Sequence, residues 1–435
     1  MNRPTVGYAP VAPLGALVFA AVVLSGCAHG SGAVRLPRHI NYWEALAELH
    51  AADAKAAARN ASEREFAEAL EDLMNGDVRR AEQRFGELRA KATDSVIRSG
   101  SRVVYTATLQ YQEKWATLAA LKNEPAATNI DRSDLASIEL WAEAFKNLPP
   151  KTFRFRSSSA RLVMAMSGVG TPLVPVEIGG KEYNFWLDTG SSLTMLSSDV
   201  ARELQINSLV SDTLEIVTST GRVKANPAVI PSLRIAQLMV DNVPAMIVDE
   251  TMMQMREPRP IERAAPVKID GIIGFDIIRQ IDLEMDYGEA EIRLRNPETS
   301  RREGERNMFW VGLPVVLLMS TDGIPLHFGL DTGAQVTFVT ETLLDKLQMT
   351  AARTESRRVG GLGGEISLRA PVLPDLRVMV RDFPILFRGA VVRAPVYQVL
   401  ASLDGVLGGD VWNSGIVRID MTNGIFGIRR PRSGF

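Results

Sequence analysis

The chain has 435 residues and a net charge of −2, with acidic and basic residues interspersed. That length allows roughly two to four domains with ample core, and the charge balance leaves no polyanion footprint, so nucleic acid is not an expected partner. The lone cysteine, Cys27, excludes an internal disulfide and thiolate metal clusters. The histidines at 29, 39, 50 and 327 lack zinc-site spacing, no Gly-x-Ser-x-Gly elbow is present, and neither a metal nor a cofactor is expected.

Residues 1–26 read as an export signal: Arg3 gives a thin positive start, and Leu14 to Leu24 is an apolar run too short to span a bilayer. The run ends in Leu24-Ser25-Gly26-Cys27, which resembles a bacterial lipobox. The resemblance implies cleavage before Cys27 and acylation of its thiol and new amino group, with the lipid bilayer as partner; several acyl chains anchor firmly where one does not. Ala28, in place of Asp, follows the cysteine. By resemblance to sorted lipoproteins, this implies the outer membrane, with the protein facing the periplasm. Residues 27–40 are a tether containing Gly, Ser and Pro.

Residues 41–150 carry a helical period. Phe66, Leu70 and Leu73, then Val78, Ala81, Phe85 and Leu88, fall at three- and four-residue intervals. Between the two runs, Asn75-Gly76-Asp77 is a helix stop followed by a fresh N-cap. Gly76-Asp77-x-x-x-Ala81-x-x-x-Phe85 resembles the hinge and second helix of a tetratricopeptide repeat, and Trp115 with Leu118, and Trp141 with Phe145, mark further helices. Such a helical-hairpin domain serves either as a docking module for a protein partner or as a spacer from the membrane. Pro149-Pro150 closes it.

From Phe153 the period becomes that of strands. A hairpin turning at Gly179-Gly180 delivers Phe185-Trp186-Leu187-Asp188-Thr189-Gly190-Ser191, and one turning at Asp322-Gly323 delivers Phe328-Gly329-Leu330-Asp331-Thr332-Gly333-Ala334. The offset between the copies holds well past the triplet: Leu204 answers Leu347, Gly221 answers Gly364, and Pro231 answers Pro374. Each copy continues with a short helix (Ser198–Leu204; Glu341–Leu347), a glycine-bearing hairpin, and an Asp-Gly-apolar-apolar-Gly motif at Asp270–Gly274 or Asp404–Gly408. A solenoid repeat has a far shorter period, so two copies of one domain are expected. They occupy residues 153–296 and 311–430, joined by a polar linker at 297–310. Glu250–Lys268, rich in Met, Pro and Arg, reads as a surface loop.

Both copies resemble the retropepsin-like aspartic proteases. The apolar strand, Asp-Thr-Gly-(Ser/Ala), glycine-rich hairpin and apolar-apolar-Gly before a closing Asp286 or Asp420 recur in order, twice. The resemblance implies a multidomain α+β chain: an α-helical, tetratricopeptide-like region followed by two all-β lobes that bring Asp188 and Asp331 together as a catalytic pair on a polypeptide substrate. Carboxylates about 3 Å apart share one proton. The ionised member then activates a water, and the neutral one donates to the scissile carbonyl. The same resemblance gives Thr189 and Thr332 a hydrogen bond across the junction, and gives Gly190 and Gly333 close approach to the carboxylates. Gly274 and Gly408 would pack under the active-site loops. Ser191 would bond Asp188 from outside, which Ala334 cannot do for Asp331, so Asp188 is expected to ionise more readily. Gly361, Leu362, Gly363 and Gly364 form the better flap, and Gly221 marks a rudimentary one. Asp270, Asp276, Asp404 and Asp410 read as turn and cap residues.

Two functions from different classes fit these residues. One is an aspartic endopeptidase; the other is a peptide-binding or scaffolding lipoprotein with a protease-like fold and no turnover. Adjacent carboxylates favour the first, whereas a separation above roughly 8 Å removes proton sharing and favours the second. Pairing of each lobe with its twin in a second chain is a further possibility.

Overall fold

A computed structural model describes residues 41–123, 132–166, 171–211, 213–218, 221–253, 268–299, 305–394, 401–412 and 415–430. The expected export signal, Cys27 and tether lie outside the described residues. The observed class is the expected one: helices first, then two β lobes.

The N-terminal region consists of helices Tyr42–Ala47, Ala51–Ala57, Ala61–Met74, Val78–Lys91, Ser95–Tyr111, Trp115–Ala120 and Arg132–Phe145. Asn41, Asn60, Asp77 and Asp94 cap four of them by accepting first-turn N–H groups, which satisfies donors that have no intrahelical partner. At the Asn75-Gly76-Asp77 stop, Gly76 takes φ +82° and the Asp77 carboxylate accepts from Arg80 N at 3.1 Å. The apolar stripes on either side then close on one another, with the Phe66 and Phe85 rings edge-to-face at 5.1 Å.

Each lobe is built on the expected hairpin. Pro172–Ile178 pairs with Lys181–Leu187 in the first, and Pro314–Ser320 with Pro325–Leu330 in the second. Gly179, Gly180 and Gly323 have positive φ at the turns. The strand Gly271–Ile273 runs parallel to Lys181–Leu187, and Gly405–Leu407 runs parallel to Pro325–Leu330. These parallel neighbours hold the aspartates: Asp188 N donates to Ile273 O at 3.0 Å, and Asp331 N to Leu407 O at 3.1 Å. The short helices appear at Ser198–Glu203 and Glu341–Lys346.

A third sheet joins the lobes. Its strand order is Ser159–Val163, Glu291–Arg295, Asp282–Asp286, Ile416–Asp420, Ile425–Arg429, so strands from both copies pair directly, Asp282 opposite Asp420 and Asp286 opposite Ile416. Strand alternation sends Leu283, Met285, Ile292, Leu294, Val417 and Ile419 into the core. The other face is a ladder of charges. Asp282, fully buried, meets Arg418 at 2.8 Å and Arg295 at 3.3 Å, while Glu284 meets Arg293 and Arg429, both at 2.8 Å. Asp286 and Asp420 cap the turns after their strands. Within the expected linker at 297–310, Met308–Trp310 is a strand pairing with Pro314–Val316, and its three apolar side chains are buried.

The helical region sits on both lobes. Ser402 N donates to Ala47 O at 2.7 Å, and Lys346 of the second lobe lies 3.5 Å from Glu48. On the first lobe, Lys151 is buried between Glu113 and Asp276, 2.6 Å from each. Arg279 stacks on Tyr111, 4.2 Å from the ring centre. The Tyr111 ring in turn packs on Trp310 at 4.5 Å.

Candidate active site

The two Asp-Thr-Gly turns meet face to face. Gly190 N donates to Asp188 Oδ1 and Gly333 N to Asp331 Oδ1, both at 2.8 Å. Each glycine lies flat against the other lobe's carboxyl group. A Cβ on Gly190 would fall 2.7 Å from Asp331 Cγ, and one on Gly333 would fall 2.6 Å from Asp188 Cγ, so only glycine fits. Each carboxyl group is thus set against the other lobe's turn. Desolvation at the cleft floor, followed by the charge of Asp331, pushes Asp188 well above the usual carboxylate range, against the opposing pull of the Gly190 and Ser191 N–H groups.

The threonines tie the turns together with near two-fold symmetry. Thr189 Oγ1 donates to Leu330 O and Thr332 Oγ1 to Leu187 O, both at 2.8 Å. Each hydroxyl also accepts the other threonine's N–H at 3.0 Å. Both hydroxyls are buried with donor and acceptor capacity used, which makes the register of the two turns costly to change.

A second matched layer lies beneath. Thr194 Oγ1 donates to Asp276 at 3.0 Å and accepts Gly274 N at 3.3 Å. In the other lobe Thr337 Oγ1 donates to Asp410 at 2.8 Å and accepts Gly408 N at 3.0 Å. Gly274 and Gly408 press against the backbones of Leu193 and Val336, under the turns. Asp270 and Asp404 accept the N–H groups of Asn184 and His327. Ser191 departs from its expected place: its hydroxyl donates to Leu193 O at 2.7 Å, because the turn folds that carbonyl back over it. The hydroxyl expected to ease ionisation of Asp188 is therefore donated elsewhere.

Above the pair runs a cleft of about 260 Å³, lined by Asp188, Asp331, Gly190, Gly333, Ser191, Gly361 and Leu362 among others. Strands Arg353–Gly361 and Gly364–Val372 form the long second-lobe hairpin, with Gly363 at φ +99° in its turn. Its tip reaches the first lobe: Leu362 packs against the cluster of Leu173, Trp186, Ile269 and Ile272, and Gly363 N donates to Met252 O at 3.1 Å. The first-lobe hairpin pairs only from Leu214–Ala225 to Thr218–Gly221. Gly221 is exposed at its end, and Thr218, not Gly221, lines the cleft. Arg357, Arg388 and Arg393 line the second-lobe wall; Arg357 pairs with Glu355 at 2.7 Å.

Sequence reasoning did not single out Thr194, Thr337, Trp186 or Lys151. The first two sit at matching places in the copies, directly after the Asp-Thr-Gly turns, so aligning the repeats would have found them. Lys151 carries no signal, because its partners come from a helix end and from a distant turn.

A family model described as "Aspartyl protease" matches the chain twice, over residues 174–277 and 318–411. No curated protein matches it. Among solved structures, the crystal structure of a retropepsin-like aspartic protease from Rickettsia conorii is similar at 14% identity, over 34% of this chain and 97% of that one, with a TM-score of 0.24. Each β lobe is thus similar to aspartyl proteases, and the paired matches support a protease function in general.

Proposed function

We propose that the chain is an aspartic endopeptidase in which Asp188 and Asp331 of the same molecule share one proton and activate a water. The observation that carries this reading is the pair of carboxyl groups, each set against the other lobe's glycine. The partner of Asp188 is a second carboxyl group in a desolvated cleft, the circumstance in which one of two acids stays protonated at a pH where the other is ionised. The ionised carboxylate of the pair takes one proton of a water held between the two as the water oxygen adds to the scissile carbonyl carbon, and the neutral one donates to the carbonyl oxygen. The tetrahedral intermediate then collapses: the C–N bond breaks, the first carboxyl gives its proton to the leaving amine, and the second recovers one from a hydroxyl of the intermediate. A polypeptide strand lies extended between the Gly361–Gly364 flap and the carboxyls, after the Gly363–Met252 hydrogen bond opens to admit it.

The anchoring and location belong to the same proposal. Leu24-Ser25-Gly26-Cys27 supports attachment through acylated Cys27 at the outer membrane, facing the periplasm. A protein partner docking on the helical region belongs to the proposal as well. The experiment compares breakdown of unfolded envelope proteins by the wild type, Asp188→Asn and Asp331→Asn. Loss of cleavage in both variants is expected; equal cleavage by all three leaves only the peptide-binding reading.

A further inference from the structure

Beside the cleft above the aspartates lies a second cavity of about 260 Å³, and the helical region supplies one of its walls. Gly190, Ser191, Met195 and Thr218 line both spaces, so the two adjoin along the wall that carries the Asp188 turn. The second cavity is lined by Tyr111, Ile138 and Trp141 of the helical region, Trp310 and Leu313 of the second lobe, and Met246 of the first. Its charged groups are internally matched: Glu113 and Asp276 by Lys151, Glu113 again by Arg279, and Glu215 by Arg222 at 3.7 Å. The helical wall is also packed in place. Trp115 and Phe145 lie ring to ring at 5.2 Å and share a core with Ile216 and Val223 of the first-lobe hairpin and with Met246 on the strand Leu238–Val248.

We infer that the helical region is part of the substrate cleft, with Tyr111, Ile138 and Trp141 forming a subsite for a large apolar side chain of the polypeptide, on one side of the bond to be cut. This rests on the endopeptidase reading and deepens it. An extended peptide lying over Asp188 reaches this space past Gly190 and Ser191, which line both. A neutral, aromatic-walled pocket gains most from an apolar occupant and leaves a charged one without a partner. The cleft over the aspartates is itself walled by Arg357, Arg388 and Arg393, so the two sides of the scissile bond meet different chemistry.

The test digests a mixture of short peptides of randomised sequence with the full chain and reads the cleaved bonds by mass spectrometry. Wild type is expected to enrich Phe, Leu, Tyr or Met at one position on one side of the cut. Trp141→Ala lowers that enrichment about tenfold, the scale of a lost apolar contact in a specificity pocket, and Trp141→Phe retains it. Ile138→Ala gives the same reading should Trp141→Ala fail to fold by circular dichroism. An unchanged profile in folded Trp141→Ala and Ile138→Ala overturns the subsite while leaving the endopeptidase intact. Cleavage by Asp188→Asn with the wild-type profile overturns the endopeptidase reading instead. Where wild type cuts nothing, the same mixture is passed over immobilised protein: retention of large apolar residues that depends on Trp141 supports the subsite, and retention indifferent to Trp141 overturns it.

Discussion

At the scale of the residue, the pair of carboxyl groups sets stability against function. A raised pKa means that the folded protein holds its proton more tightly than the unfolded chain. The stabilising contribution is therefore full below the ordinary carboxylate pKa and is lost as pH rises through the raised value of Asp188. Near neutrality the pair costs stability. Asp188→Asn is expected to raise Tm by about 2–4 °C or more while lowering turnover about a thousandfold or more; thermal unfolding and peptide cleavage measured on the same preparation check both. The same shift fixes one limb of the pH profile. kcat/KM should fall on the alkaline side only above the ordinary carboxylate range, where the shared proton leaves.

At the scale of the element, the contacts that hold the second-lobe hairpin shut include the Gly363–Met252 hydrogen bond and the packing of Leu362 against the apolar clusters that contain Trp186 and Ile272, and Ile216 and Val223. Leu362→Ala removes most of the apolar contact and leaves the hydrogen bond. The expected result is faster amide exchange at Gly363 and a several-fold higher KM with a smaller change in kcat, because ordering the flap over substrate then draws on binding energy. Much of this element was legible in advance. Gly360-Gly361-Leu362-Gly363-Gly364 announces a tight turn between two strands, and the shorter first-lobe hairpin at Gly221 was legible as the lesser one. The landing place of the tip was not, since Met252 lies in a short 3-10 helix, Glu250–Met253, whose position depends on the first lobe around it.

At the scale of the whole molecule, the helical region clamps both lobes through buried charge and a buried histidine. Lys151 is 3% exposed between two carboxylates, so Lys151→Met leaves Glu113 and Asp276 without their shared cation. Removing one member of a buried ion pair costs about 3–5 kcal/mol, and a lower urea midpoint in equilibrium unfolding checks it. His327 faces Phe309 and His50 at ring distances of 5.9 Å, with Lys346 and the buried Asp404 beside it. Burial first, and then Lys346 and His50, lower its pKa from 6.5 to about 3. The unfolded chain then binds the proton more readily, so the stability His327 contributes is present above pH 6.5 and is lost as pH falls toward about 3. His327→Gln is expected to flatten the acid side of a Tm-against-pH curve.

The sequence by itself determined the parts whose cause is local. Asp-Thr-Gly twice, glycine at the hairpin turns, Asn and Asp at helix starts, and the change from a helical to a strand period each follow from neighbouring side chains and their spacing. It also carried the duplication, which implied two similar lobes. Only the tertiary structure decided what meets across long separations: Asp188 against Gly333, Thr189 against Leu330, the strands of both copies in one sheet, and Lys151 between a helix end and a turn. It also turned the Ser191 hydroxyl away from Asp188 and set Trp141 beside the cleft. Turn and period preferences act within a few residues, whereas these contacts depend on how whole apolar faces fit together, and no short stretch of chain encodes that fit.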